Sequence, residues 1–145
     1  MIRLHIFLLL LLLCLISNLP RQARAEYLIE PIADGLNFPW SLEFLDDQEL
    51  IVTELGGTLR HIDTEGNISK PIPGSPTVYR AGQGGLFDVI RHPNFRQTKQ
   101  IYLSYASGDE EANATTVARA TWHKTGLTNL EVIFEATPSK YAALH

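Results

Sequence analysis

Glu49-Leu50-Ile51-Val52-Thr53-Glu54-Leu55-Gly56-Gly57-Thr58-Leu59-Arg60-His61-Ile62-Asp63 is the stretch on which the fold turns. A run rich in β-formers reaches Gly56-Gly57, and a second runs back from it. In the second, Leu59, His61 and Asp63 alternate against Thr58, Arg60 and Ile62. Two such runs joined by a glycine turn read as a hairpin. Working outward, residues 41–45 (SLEFL) form a compact apolar run closed by Asp46-Asp47. On the other side, Glu65-Gly66 turns the chain into residues 67–72. The result is a set of four short strands with tight connections.

The set then recurs. Residues 85–91 (GLFDVIR) answer the run around Trp40, and residues 100–105 (QIYLSY) answer ELIVTE. Residues 115–122 (TTVARATW) answer TLRHID, and residues 130–135 (LEVIFE) close the second set. The interval is about 45 residues, the length of a four-stranded propeller blade. Residues 71–82 and 107–113 are the longer linkers, placed where blades or hairpins join. No stretch after the N-terminal segment carries a long apolar 3.6-residue period, so the expected class is all-β. Evenly spaced short strands also suit a β-sandwich; the four-plus-four self-similarity favours the propeller. Two blades cannot close a propeller, because each sheet needs neighbours on its faces. The expectation is therefore an incomplete domain, with residues 27–32 suited to pair with a C-terminal blade.

The N-terminal segment changes the charge count. Arg3 and His5 precede an apolar run of 11 residues, Ile6 to Ile16, followed by Pro20 and Ala23-Arg24-Ala25. This is the three-part pattern of a secretory signal peptide, and the run is short of the roughly 20 residues a bilayer span needs. Residues 1–25 are read as the signal and residues 26–145 as the domain, with a signal anchor as the alternative. After cleavage no stable membrane span is expected, and the location is periplasmic or secreted. Cys14 is the one cysteine and lies in the apolar run; Leu13 before it argues against lipidation. Cleavage leaves neither a disulfide nor a thiol metal site. It also removes Arg3, Arg21 and Arg24, so basic residues fall from 12 to 9 against 16 acids, a formal charge of −7. An acidic chain with no basic stripe is a poor nucleic-acid binder, and none is expected as a partner.

Several consecutive segments resemble one family. They are Gly35-Leu36-Asn37-Phe38-Pro39-Trp40-Ser41-Leu42, residues 50–60 (LIVTELGGTLR), Gly82-Gln83-Gly84-Gly85-Leu86-Phe87-Asp88-Val89, and His92-Pro93-Asn94-Phe95 followed by Ile101-Tyr102-Leu103-Ser104-Tyr105. In order and spacing they resemble the pyrroloquinoline quinone (PQQ)-dependent soluble aldose and glucose (sorbosone) dehydrogenases, across essentially all of residues 27–145. The resemblance implies the N-terminal two blades of a six-bladed β-propeller with four-stranded antiparallel blades. It implies PQQ over the central channel, with a calcium ion bridging it whose ligands lie outside this chain. It further implies a small-molecule sugar substrate oxidised at the anomeric carbon to a lactone, and an external electron acceptor. In such a reaction the cofactor carries the redox chemistry and the protein handles position and protons.

Two residues are carried over as site candidates. Gln83 sits in the GQGG loop, whose glycines allow close backbone approach. Its amide offers both donor and acceptor to a quinone carbonyl or a sugar hydroxyl, and it matches the family's cofactor-contacting glutamine. His145 matches the catalytic histidine through Pro138-Ser139-Lys140-Tyr141-Ala142-Ala143-Leu144-His145, the first half of that family stretch. Histidine suits a general base because it titrates near working pH. Leu144 stands where some members carry an acid, which weakens the case for an acid-assisted base.

Other residues read as structural. His61 and His123 lie on strands without histidines at metal-ligand spacing, and surface or edge positions are expected. His92 precedes a proline and reads as a turn residue. Asp88 reads as a turn cap or channel residue, and Trp40 as a packing anchor. Asp109-Glu110-Glu111 reads as a solvated acidic loop. Asn67-Ile68-Ser69 and Asn113-Ala114-Thr115 fit glycosylation acceptors. There is no G-x-S-x-G elbow, Walker loop, CxxC or HExxH. The rival reading is a non-catalytic propeller of the same fold that serves as a binding module, since fold does not fix function.

Overall fold

The computed structural model describes residues 27–45 and 48–141. The chain divides into two compact units, Met1–Glu30 and Pro31–His145. Of the first unit only residues 27–30 are described, and they carry no regular secondary structure. The signal-peptide reading of residues 1–25 thus lies outside the described residues. Among the described residues, no helix is long and apolar enough to cross a membrane.

The second unit is almost entirely β. Its elements are β1 (Pro39–Phe44), β2 (Leu50–Glu54), β3 (Thr58–Ile62), β4 (Leu86–Arg91), α1 (Phe95–Thr98), β5 (Gln100–Gly108), β6 (Asn113–His123) and β7 (Gly126–Glu135). They form two antiparallel sheets, ordered β1-β2-β3 and β4-β5-β6-β7. Each sheet is a meander in sequence order, as expected of successive propeller blades. The second set of strands falls where the repeat places it, and its strands run longer than their apolar cores suggest.

The first set departs at its fourth member. Residues 67–72 run beside β3 but join it through one bridge, Ile62 to Ile68, and a few backbone bonds. Ser69 N–H donates to His61 O at 2.8 Å and Ile72 N–H to Leu59 O at 2.9 Å. The ladder fails for a local reason. The His61 N–H donates to the Ser69 hydroxyl at 3.0 Å instead of a main-chain carbonyl, and Pro71 has no N–H to give.

The sheets bury their apolar faces against each other. Ile51 and Leu59 from the first sheet meet Leu86, Val89, Ile101, Leu103, Tyr105, Ala118, Ala120 and Trp122 from the second. On β5 and β6 the buried residues recur with period two, as a half-buried strand requires. The other face of the first sheet buries Leu50, Val52 and Ile62 under Ala33, Leu36 and Ile68. Large apolar side chains remain exposed on the outermost strands: Leu42 and Phe44 on β1, and Val132, Ile133 and Phe134 on β7.

His61 is not at the surface. It is buried, with its Nε2 3.0 Å from Glu49 Oε2 and its ring tilted on Trp122. Asn113 is also buried and donates from its amide to Asp109 O at 3.0 Å. In this fold it is no glycosylation acceptor, whereas Asn67 is exposed. His92 is the expected turn residue, its Nδ1 accepting the Asn94 N–H at 3.0 Å.

Candidate functional site

Gln83 is positioned by backbone geometry. The turn over residues 81–84 closes through Gly84 N–H to Ala81 O at 2.7 Å. Gly82 takes φ 53°, the left-handed region that glycine enters without a Cβ penalty. The Arg80 guanidinium clamps the turn, donating to Gly82 O at 2.9 Å and Gly84 O at 3.2 Å. Gly85 then passes between the sheets. Leu86 N–H donates to Leu55 O at 3.1 Å and Ala106 N–H to Gly85 O at 2.9 Å. A Cβ at Gly85 would press into the Leu55 carbonyl and side chain. The turn thus leaves Gly84 and Gly85 buried and Gln83 exposed.

That side chain opens on a cavity of about 380 Å³ lined also by Trp40, Phe87, Asp88, Ser104 and Thr115. The volume lies within the roughly 300–1,000 Å³ of small-ligand sites. Two irregularities in strand pairing meet there. In β1, Pro39 pairs with Glu54 and Ser41 with Thr53, so Trp40 is an extra residue. In β4, Leu86 pairs with Tyr105 and Val89 with Leu103, so Phe87 and Asp88 together oppose Ser104. Such bulges re-aim side chains. Here Trp40 lies against Phe87, ring centroids 5.8 Å apart at 50°.

The bulges are tied together by a buried hydroxyl. Thr53 Oγ1 donates to Phe87 O at 2.6 Å and accepts the Ser41 N–H at 3.1 Å. Ser104 Oγ accepts the Asp88 N–H at 3.0 Å. Among the described residues, neither the Gln83 amide nor the Asp88 carboxylate has a hydrogen-bond partner. Both are therefore available to a ligand.

A second cavity, of about 350 Å³, lies by the start of β5 and is lined by Leu45, Glu49, Phe95, Lys99, Trp122, His123 and Lys124. Its charges already serve the fold. Lys124 Nζ is 2.6 Å from Glu49 Oε1, and Lys99 Nζ sits 5.1 Å from the Phe95 ring centre. The hydrogen bond from Lys124 holds the Glu49 carboxyl below its usual value, outweighing the opposing effect of desolvation, with His61 adding to the lowering. The Gln83 cavity is the better candidate because its polar groups are not consumed by one another.

His145 lies outside the described residues, so its relation to Gln83 is not on view. Trp40 is half-exposed and lines the cavity instead of anchoring the core. Phe87, Ser104 and Thr115 carry no sequence signal of their own. They come from three strands, and only strand register gathers them. Among the described residues, no group of three or more His, Cys, Asp or Glu side chains is arranged to hold a metal ion. The Gln83 amide suits the carbonyls and carboxylates of PQQ as a donor, while the Asp88 carboxylate beside it suits hydroxyl donors.

The family model described as glucose / sorbosone dehydrogenase matches residues 36–145. The aldose sugar dehydrogenase YliI of Escherichia coli (strain K12) is 36% identical over 143 residues, covering 96% of this chain and 38% of that protein. The chain thus spans well under half the length of this relative. The crystal structure of the soluble aldose sugar dehydrogenase from Escherichia coli in the apo-form superposes with a TM-score of 0.72 at 36% identity, covering 76% of this chain and 33% of that one. The PQQ-bound form of aldose sugar dehydrogenase from Streptomyces coelicolor shares the fold, with a TM-score of 0.68 at 23% identity over 77% of this chain and 34% of that one.

Proposed function

Because this chain belongs to the glucose / sorbosone dehydrogenase family, we propose that it is the N-terminal portion of a secreted or periplasmic PQQ-dependent aldose dehydrogenase. The observation that carries the reading is the Gln83 amide. It is held exposed by a glycine turn over a cavity with an aromatic wall and free polar groups.

The reaction removes a hydride from the anomeric carbon and a proton from its hydroxyl, leaving a lactone. PQQ, when bound, supplies the two-electron acceptor, which an external acceptor reoxidises. Gln83 orients the cofactor or the sugar through an amide that can donate and accept at once. The turn that carries it is clamped by Arg80, so little backbone freedom is lost on binding. His145 is the general base that takes the hydroxyl proton, with its neutral imidazole as the working form. Residues 1–25 direct export and are removed. A calcium ion bound with the cofactor would be held by residues outside this chain.

The test is PQQ binding with calcium present, by isothermal titration, on residues 26–145 and on the full reading frame. The expected result is tight binding by the longer protein, weakened at least about tenfold by Gln83→Ala. A well-folded longer protein that fails to bind PQQ would discard the quinone enzyme and favour the binding module.

A further inference from the structure

The coincidence of two β-bulges at one cavity has a cost that the fold alone does not explain. Each leaves a residue out of the ladder, and both do so where Gln83 emerges. What they gain is a half-exposed indole, an adjoining phenyl ring and an exposed carboxylate facing one space. We propose that Trp40, Phe87 and Asp88 form the subsite that recognises the ring of a cyclic aldose, beside Gln83. This rests on the dehydrogenase reading above and names how its substrate is chosen.

The chemistry matches a pyranose or furanose ring. One face of such a ring presents C–H groups, which pack on an aromatic surface and shed water there. Its rim presents hydroxyls, which donate to a carboxylate in charge-assisted bonds. Asp88 also excludes the opposite ligand class, because its charge repels carboxylates and phosphates. An anionic cofactor would therefore be disfavoured beside Asp88, whereas a neutral sugar would not. The platform is rigid where it must be. Thr53 locks the Phe87 carbonyl to β1, and Ser104 holds the Asp88 backbone.

Two measurements test this on the full-length protein. The first is equilibrium quenching of the Trp40-dependent emission in protein without PQQ, taken as the difference between wild type and Trp40→Phe. A cyclic aldose should quench it saturably, and the corresponding open-chain alditol should not. The second is steady-state kinetics of the PQQ-loaded protein. Trp40→Ala and Asp88→Asn should each raise KM about tenfold with kcat within about twofold, and Trp40→Phe should recover most of the loss. Trp40 and Asp88 are exposed, so neither change opens a cavity in the core.

Unchanged KM in both variants, or equal quenching by aldose and alditol, would overturn the subsite and leave the dehydrogenase reading intact. Saturable aldose-selective quenching without oxidation of any aldose would do the reverse. It would establish the subsite and remove the enzyme.

Discussion

Replacing Thr53 by valine should loosen the junction that shapes the cavity. Thr53 is fully buried and its hydroxyl bridges Ser41 and Phe87, with Ser41 O a second, longer acceptor at 3.3 Å. It donates to Phe87 O at 2.6 Å and accepts from Ser41 N–H at 3.1 Å. Valine keeps the shape but strands both main-chain groups. A buried group left without its partner costs about 1–3 kcal/mol. Ser41 and Phe87 are only half-buried, so relaxation and water should recover part of this, which puts the loss near the lower end for each. The added methyl returns about 0.8 kcal/mol at most. The net expectation is a destabilisation of about 1 kcal/mol, a fall in the urea midpoint of about 0.5 M at a slope of about 2 kcal/mol/M. Thr53→Ser keeps the hydroxyl and loses one methyl, so it should cost about 1 kcal/mol. Urea unfolding followed by far-ultraviolet circular dichroism checks both. If the valine variant were as stable as wild type, the hydroxyl would not be the tie between the bulges.

Two further outcomes follow from the same geometry. Gly85→Ala drives a Cβ into the Leu55 carbonyl that Leu86 N–H uses; thermal melting should fall by about 10 °C or more, and an unchanged midpoint would mean that the sheets can part there at no cost. Glu49 is held below its usual value of 4.5, chiefly by Lys124. A lowered folded value favours the native state above the unfolded value and loses that effect as pH falls through the folded one. The stability gap between wild type and Glu49→Gln should therefore be constant near neutral pH and shrink below about pH 4.5. Its size should be on the order of 1 kcal/mol, because Lys124 is largely solvent-exposed. A gap that widened on acidification would refute the assignment.

How much of this was legible in one dimension depends on the kind of signal. Period-two runs such as 100–105 and 115–122 mark strands because a half-buried sheet demands alternation, and β5 and β6 contain them. Residues 67–72 carry similar composition but pair poorly. The competition between the Ser69 hydroxyl and the main chain for His61 N–H is set by atoms, not by propensity. His61 read as a surface or edge residue because no partner histidine stands at metal-ligand spacing from it. Its cover, Trp122, lies on β6 of the other sheet. Helix α1 is a single turn, too short to leave a period.

Local chemistry was readable, and so the Gln83 turn was too. Glycine spacing dictates where a backbone can bend and how closely it can pack, and the effect is complete within a few residues. The wall opposite Gln83 was not readable. Trp40, Phe87 and Asp88 acquire their direction from one-residue excesses in strand pairing, which exist only once β1 has met β2 and β4 has met β5. Register is a relation between strands, and a one-residue shift turns a side chain to the other face. The order of strands along the chain could name the fold. Only their pairing could turn an indole and a carboxylate toward the same space.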